Sequence, residues 1–422
     1  MIRKRHNIGF ISTRFSGNDG VSMESEKWLE VITRLGYPCF VMGGDCDEKE
    51  KEYAYLVPEA HFKHPEIQGI HAVSFSSQIR PPEITQRIHL IKDRLKMYLS
   101  TFVDRFKIKL LIVENALAIP LNIPLGLALT EFIAETGFPT IAHHHDFFWE
   151  RQRFLTNCVW DYLNMAFPPH LPSIRHVVIN SSASNQLSLR TGISAMLIPN
   201  VMDFDDPPLP PDDYTATLRS DIGLAPDEYF FLQPTRVVQR KGIEHAIELI
   251  RLLGVKACLV ISHASGDEGY EYEQRLRYYA QALNVPTIFV SDVLRDERNV
   301  LEDGRKVYTL ADAYQSADLV TYPSSMEGFG NAFLEAVYYR RPIVVNNYSI
   351  FAIDIKPKGF QVIEFDGFIT GETVGHVRSV LENPRLVEQM TEQNYKLAQK
   401  HYSYSMLERR LQTLLKDCFG EE

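Results

Sequence analysis

Two glutamates, Glu327 and Glu335, stand with seven residues between them in the segment 322–335, YPSSMEGFGNAFLE. The pattern predicts the end of a strand, a glycine loop and the first turn of a helix. A helix start aims backbone N–H groups and the positive end of its dipole at one point, where an anion settles. Here those groups belong to Phe329, Gly330 and Asn331. Glu327 precedes the helix. Glu335 lies about one turn inside it, on the face of Asn331, because positions i and i+4 align. Phosphates take N–H groups, and ribose or sugar hydroxyls donate to carboxylates. The residue types therefore suit a sugar carried on a nucleoside diphosphate.

A second set follows the first apolar run of the second half, in the segment 233–242, QPTRVVQRKG. Arg236 and Lys241, with Arg240 as an extra cation, fall in a loop after a strand. A guanidinium and an ammonium there hold a diphosphate and absorb its charge as it leaves. Three histidines, His143, His144 and His145, stand before Asp146 at a strand end, followed by Trp149, Glu150 and Arg151. Neighbouring residues on a strand face opposite sides, so the three cannot all meet one ion, and no metal is expected. After the first strand, Arg14, Gly17 and Gly20 form a loop without the G-x-G-x-x-G spacing of a dinucleotide site. Gly17 and Gly20 permit close backbone approach, or make a plain turn.

The elements that must carry these residues read as alternating strands and helices, an α/β pattern with parallel sheets. Strands are expected at 8–13, 38–42, 110–113, 140–143 and 176–179. A second series is expected at 229–233, 257–262, 287–291, 319–322, 343–346 and 361–363. Ser22 is placed to cap the first helix, with Val21, Trp28, Ile32 and Leu35 on its apolar stripe. The stretch 203–213, DFDDPPLPPDD, is too rich in proline and acid for a core element and reads as a linker. This gives a first domain at 1–202, the linker at 203–213, a second domain at 214–400 and a terminal helix at 401–422. That helix has an expected capping box at Ser405 and Glu408 and a stripe of Leu407, Leu411, Leu414, Leu415 and Cys418.

With 422 residues, the chain exceeds one ordinary core. Its net charge of −10 argues against nucleic acid as a partner and against docking on an anionic bilayer. The five scattered cysteines suit reduced thiols in the cytoplasm. The start, MIRKRH, lacks the pattern of a signal peptide, and the apolar stretch 110–129 is interrupted by Glu114, Asn115, Asn122 and two prolines, so no membrane insertion is expected.

The spaced glutamates with Gly-Phe-Gly after the first, and the R-x-x-x-x-K-G run from Arg236 to Gly242, resemble the signatures of retaining glycosyltransferases of the GT-B fold, family 4 (group 1). The resemblance implies two doubly wound Rossmann-like domains facing a cleft, with the last helix crossing back to the N-terminal domain. It implies a donor site of Gly20, Arg236, Lys241, Val293, Glu327, Phe329, Gly330, Asn331 and Glu335. Ser262, His263 and Gly266 would edge the nucleotide pocket. His145 is the best match to the histidine placed against the reacting sugar, and His144 the second, so which of the three histidines faces the site stays open. His145, Arg236, Lys241 and Glu327 would be catalytic. Arg14, Gly17, His144 and Arg151 would meet the acceptor, with Arg80 and Arg153 as further cations for a phosphate or carboxylate. No cofactor or metal is implied beyond the nucleotide-sugar substrate, UDP-linked or another. The narrower expectation is glucosyl transfer from UDP-glucose to a small soluble acceptor such as fructose 6-phosphate, as in sucrose-phosphate synthases, although their first-loop glycine pair is absent. A mannosyl- or glucosyltransferase of surface polysaccharide or glycolipid synthesis is the alternative. A non-catalytic nucleotide-sugar-binding protein is the reading from another class. Glu335 would bind any ribose and Glu327 several hexoses, so base, sugar and acceptor stay open, as does the oligomeric state.

Overall fold

A computed structural model describes residues 5–17, 19–46, 52–265 and 269–420. The sequence readings at Met1 to Lys4 and at Gly266 lie outside them. The chain forms two compact units, one of residues 1–201 and 404–422, the other of residues 202–403.

The first unit holds a seven-stranded parallel sheet. Its strands are β1 (Asn7–Ile11), β2 (Cys39–Gly43), β3 (Ala54–Leu56), β4 (Ile108–Glu114), β5 (Thr140–His144), β6 (Ile174–Val178) and β7 (Ala195–Leu197), in the order 3-2-1-4-5-6-7. Both faces are covered, so the central strands are mostly apolar, with Glu114, His143 and His144 at their carboxyl ends. Leu110 and Ile112 face one side, with Ile8, Phe10 and Ile141, under Trp28, Val31 and Ile32 of the helix Gly20–Arg34. Leu407, Leu411, Leu414 and Leu415 of the terminal helix Tyr404–Phe419 complete that core. Leu111 and Val113 point the other way, into the core with the helices Pro82–Phe106 and Ile123–Thr136.

The second unit has a six-stranded parallel sheet. It comprises β8 (Tyr229–Gln233), β9 (Ala257–Ile261), β10 (Thr287–Phe289), β13 (Leu319–Tyr322), β14 (Ile343–Asn346) and β15 (Ile363–Phe365), in the order 10-9-8-13-14-15. A short antiparallel ribbon, β11 (Asn299–Val300) with β12 (Lys306–Val307), lies between β10 and β13 in sequence.

Three local expectations differ from the structure. Asp19, not Ser22, caps the first helix. Its Oδ1 accepts from the N–H groups of Val21 and Ser22, because the carboxylate sits at the residue before the first turn. The terminal helix begins at Tyr404, so Ser405 and Glu408 lie inside it rather than forming its cap. The edge strands β3 and β7 and the ribbon were not expected. They are two or three residues long and too short to show periodicity.

Candidate active site

In the second sheet the chain passes from β8 to β9 on one side, while β13 pairs with β8 on the other. The strand order therefore reverses between β8 and β13, the place where open α/β sheets bind ligands at their carboxyl ends. Arg236, Arg240 and Lys241 follow β8. Glu327 and the helix Asn331–Tyr338 follow β13. The two loops are tied together, since the Ser325 N–H donates to the Arg240 carbonyl at 2.9 Å. Gly242 permits that approach. Its φ is +57°, and a Cβ there would lie 2.6 Å from the Pro323 carbonyl oxygen.

Lys241 Nζ donates to Glu327 Oε1, and Arg240 Nη1 lies 3.4 Å from Oε2. Burial pushes the Glu327 carboxyl upward, but Lys241 and Arg240 outweigh it and hold the group below the usual carboxylate range. Burial pushes the Lys241 ammonium down, against the pull of Glu327. The carboxylate is thus ionised at neutral pH and can accept from sugar hydroxyls. Arg236 is exposed and its guanidinium has no hydrogen-bond or ion-pair partner among the described residues, which leaves it available to an anion.

Gly330 caps the helix Asn331–Tyr338 without bringing a side chain to its start. Its φ is +128°, and a Cβ would stand 2.5 Å from the Tyr348 hydroxyl, which itself donates to the Phe329 carbonyl at 2.8 Å. Glu335 Oε2 accepts from the buried Tyr314 hydroxyl at 2.7 Å, which orients the carboxylate. Val293, after β10, has both backbone groups engaged. Its N–H donates to Val290 at 3.0 Å, and its carbonyl accepts from Tyr308 at 2.9 Å. His263 follows β9, with Nδ1 2.6 Å from Ser262 Oγ.

The first sheet reverses in the same way, between β1 and β4. Arg14, Gly17 and Gly20 follow β1. Arg14 pairs with Asp19 at 2.6 Å, Gly17 has φ +97°, and Gly20 is the first residue of its helix. Beside them, His143 and His145 converge on Glu114, the last residue of β4. Glu114 Oε2 lies 2.8 Å from His143 Nδ1 and 3.5 Å from His145 Nε2. The Trp28 ring stacks on His143 at 4.1 Å. Burial pushes the Glu114 carboxyl up, and the two imidazoles more than reverse this, holding it at about 2. His144 points the other way, where its Nε2 is 2.9 Å from His176 Nδ1. Burial holds His144 well below the ordinary imidazole value and His176 at about 4. Arg151 pairs with Asp146 at 2.5 Å. Arg80 pairs with Asp161 at 2.7 Å and lies over the Tyr162 ring, and Arg153 lies over the Phe154 ring.

Residues 215–397 match the family described as glycosyl transferases group 1. The matched residues fall within the second unit. The chain is 28% identical over 445 residues to a mannosylglucosylglycerate synthase of Thermotoga maritima, covering 95% of this chain and 97% of that protein. It is also 28% identical to one of Petrotoga mobilis, covering 84% of this chain and 86% of that one. Among solved structures it resembles a sucrose-phosphate synthase from Thermosynechococcus elongatus, with a TM-score of 0.67, 14% identity, and 99% and 100% of the two chains covered. That likeness shows the GT-B fold.

In the second unit the structure brings together Lys241, Glu327 and the helix at Asn331. In the first unit it separates His144 from His143 and His145. Two residues of the histidine cluster, Glu114 and Asn115, escaped the sequence reading. Asn115 has φ +57°, its Oδ1 accepts from the His145 N–H at 3.0 Å, and its Nδ2 donates to Asp146 at 2.9 Å. The signal available was an acid–amide pair ending an otherwise apolar strand, which the sequence reading used only against a membrane span. Glu114, His143 and His145 place their ligand atoms within 4.8 Å of one another, so among the described residues they form a set that could hold a metal ion. No helix among the described residues is long and apolar enough to cross a membrane.

Proposed function

We propose that the protein is a retaining, metal-independent hexosyltransferase that moves a sugar from a nucleoside diphosphate to a small soluble acceptor. The observation that carries this is the Lys241–Glu327 pair beside the helix start at Gly330, with the Arg236 guanidinium, unpaired among the described residues, near by in sequence. Cations and N–H groups receive the diphosphate, and an ionised carboxylate receives sugar hydroxyls. Glu335 takes the ribose. A base contact at Val293 would use the second lone pair of its carbonyl. His145 is assigned to the transferred sugar by its place in the family pattern. The acceptor hydroxyl oxygen bonds to the anomeric carbon on the face from which the carbon–phosphate oxygen bond breaks. The hydroxyl proton passes to the departing phosphate oxygen, so configuration is retained.

For the acceptor, the nearly full-length likeness to mannosylglucosylglycerate synthases favours mannosyl or glucosyl transfer over glucosylation of fructose 6-phosphate. Their names point to an acceptor that is a glycoside of glycerate, a small carboxylate. The test is to supply GDP-mannose, UDP-glucose and ADP-glucose in EDTA with glucosylglycerate or fructose 6-phosphate, and to read the product anomer by NMR. A retained glycosidic product on the glycerate glycoside supports the reading. An inverted product, or transfer that needs added metal, contradicts it.

A further inference from the structure

We propose that Glu114 and Asn115 are positioning residues that fix His145 for transfer, Glu114 at its imidazole and Asn115 at its backbone. This rests on the reading that His145 serves the transferred sugar. In the β4–β5 ladder Glu114 is the register partner of His143, so its side chain shares a face with His143 and, two residues on, His145. One carboxylate oxygen, Oε2, faces both rings, at 2.8 Å from His143 Nδ1 and 3.5 Å from His145 Nε2. A carboxylate accepts only, so His143 holds its proton on Nδ1, whereas His145 Nε2, at 3.5 Å, faces the acid as an electrostatic contact rather than a formed hydrogen bond. Trp28 closes the far side of His143, and the two imidazole centroids lie 4.4 Å apart. The group is enclosed, with Glu114 1% and His145 7% exposed, so a ring that turns away gives up a charged partner that water does not readily replace. Asn115 holds the main chain. From a left-handed conformation it accepts from the His145 N–H, gives its own N–H to the His143 carbonyl at 2.9 Å and steadies Asp146.

The test compares Glu114→Gln, Asn115→Gly, His145→Ala and the doubles Glu114→Gln/His145→Ala and Asn115→Gly/His145→Ala, each shown to be folded, in steady-state assays with EDTA. Metal content is measured on the protein as purified. Glu114→Gln and Asn115→Gly are expected to lower kcat by up to about 100-fold, the order expected when a working group is displaced by about 1 Å from the reacting atoms. KM for the donor is expected to stay within about twofold. Each double should be no slower than His145→Ala alone, because residues that act through one group are not additive. Asn115→Gly keeps the backbone conformation, so it carries the test if Glu114→Gln does not fold. Doubles that lose the full product of the two single effects would overturn the proposal. So would full activity in Glu114→Gln and Asn115→Gly with a slow His145→Ala, or one bound metal per chain whose removal reproduces Glu114→Gln. Full activity in His145→Ala would remove the underlying reading as well, which separates the two failures.

Discussion

Lys241 and Glu327 meet as an enclosed ion pair across the loops that follow β8 and β13, with side chains only 10% and 9% exposed. Lys241→Ala leaves a carboxylate with Arg240 as its remaining cation, at 3.4 Å. Removing one partner of an enclosed pair costs about 3–5 kcal/mol, and Arg240 should keep the loss near the lower end. Urea denaturation of the two proteins measures it. Replacing both partners, Lys241→Met with Glu327→Leu, should restore most of the stability while abolishing transfer. A double variant as unstable as Lys241→Ala would mean that the loops depend on the charges themselves.

Gly330→Ala should damage both fold and donor binding. The backbone there has φ +128°, and the new methyl would meet the Tyr348 hydroxyl at 2.5 Å. Strain of this kind costs about 1–3 kcal/mol. The helix start would shift with it, so calorimetric donor affinity should weaken at least tenfold. A variant with unchanged melting and affinity would contradict the tight packing of Tyr348 on this loop.

Stability should fall on mild acidification. An unfolded histidine titrates near 6.5, whereas His176 is held at about 4 and His144 well below 6.5. Between those values the unfolded chain binds more protons than the folded one, so stability declines as pH drops from about 6.5 toward 4. For His176 the full effect is on the order of 3 kcal/mol. Glu114, held at about 2, and Glu327 act in a lower window. Their contribution is present above about 4.5 and is lost as pH falls further. Chemical denaturation at pH 7, 5 and 4 checks this, and equal stability at the three values would refute the enclosed His144–His176 pair.

The loops after β8 and β13 were legible as structure because their signals are local. Glycines, cations and acids at fixed spacing after an apolar run announce a strand, a loop and a helix start, and β8, β13 and β14 fall where expected. Glu114 was not legible as a functional candidate, because its meaning comes from register. Only the pairing of β4 with β5 sets it opposite His143. The strand alternation that argued against three histidines on one ion also put His143 and His145 on one side, but their third partner lies 29 residues from His143 in the chain. The Asp19 cap was missed because two capping residues, Asp19 and Ser22, lie three apart, and either could have opened the helix.

Arg236 tests the central claim most directly, since its exposed guanidinium has no partner among the described residues and its loss should leave stability within about 0.5 kcal/mol. The measurement is thermal stabilisation of the wild type and Arg236→Ala by UDP-, GDP- and ADP-sugars in EDTA. A donor at a hundred times its dissociation constant adds about 2.7 kcal/mol. The predicted result is a selective shift for one nucleotide in the wild type, largely lost in Arg236→Ala, whose melting without ligand is unchanged. No shift with any nucleotide sugar, or an equal shift in the variant, would contradict the donor site proposed for the second unit.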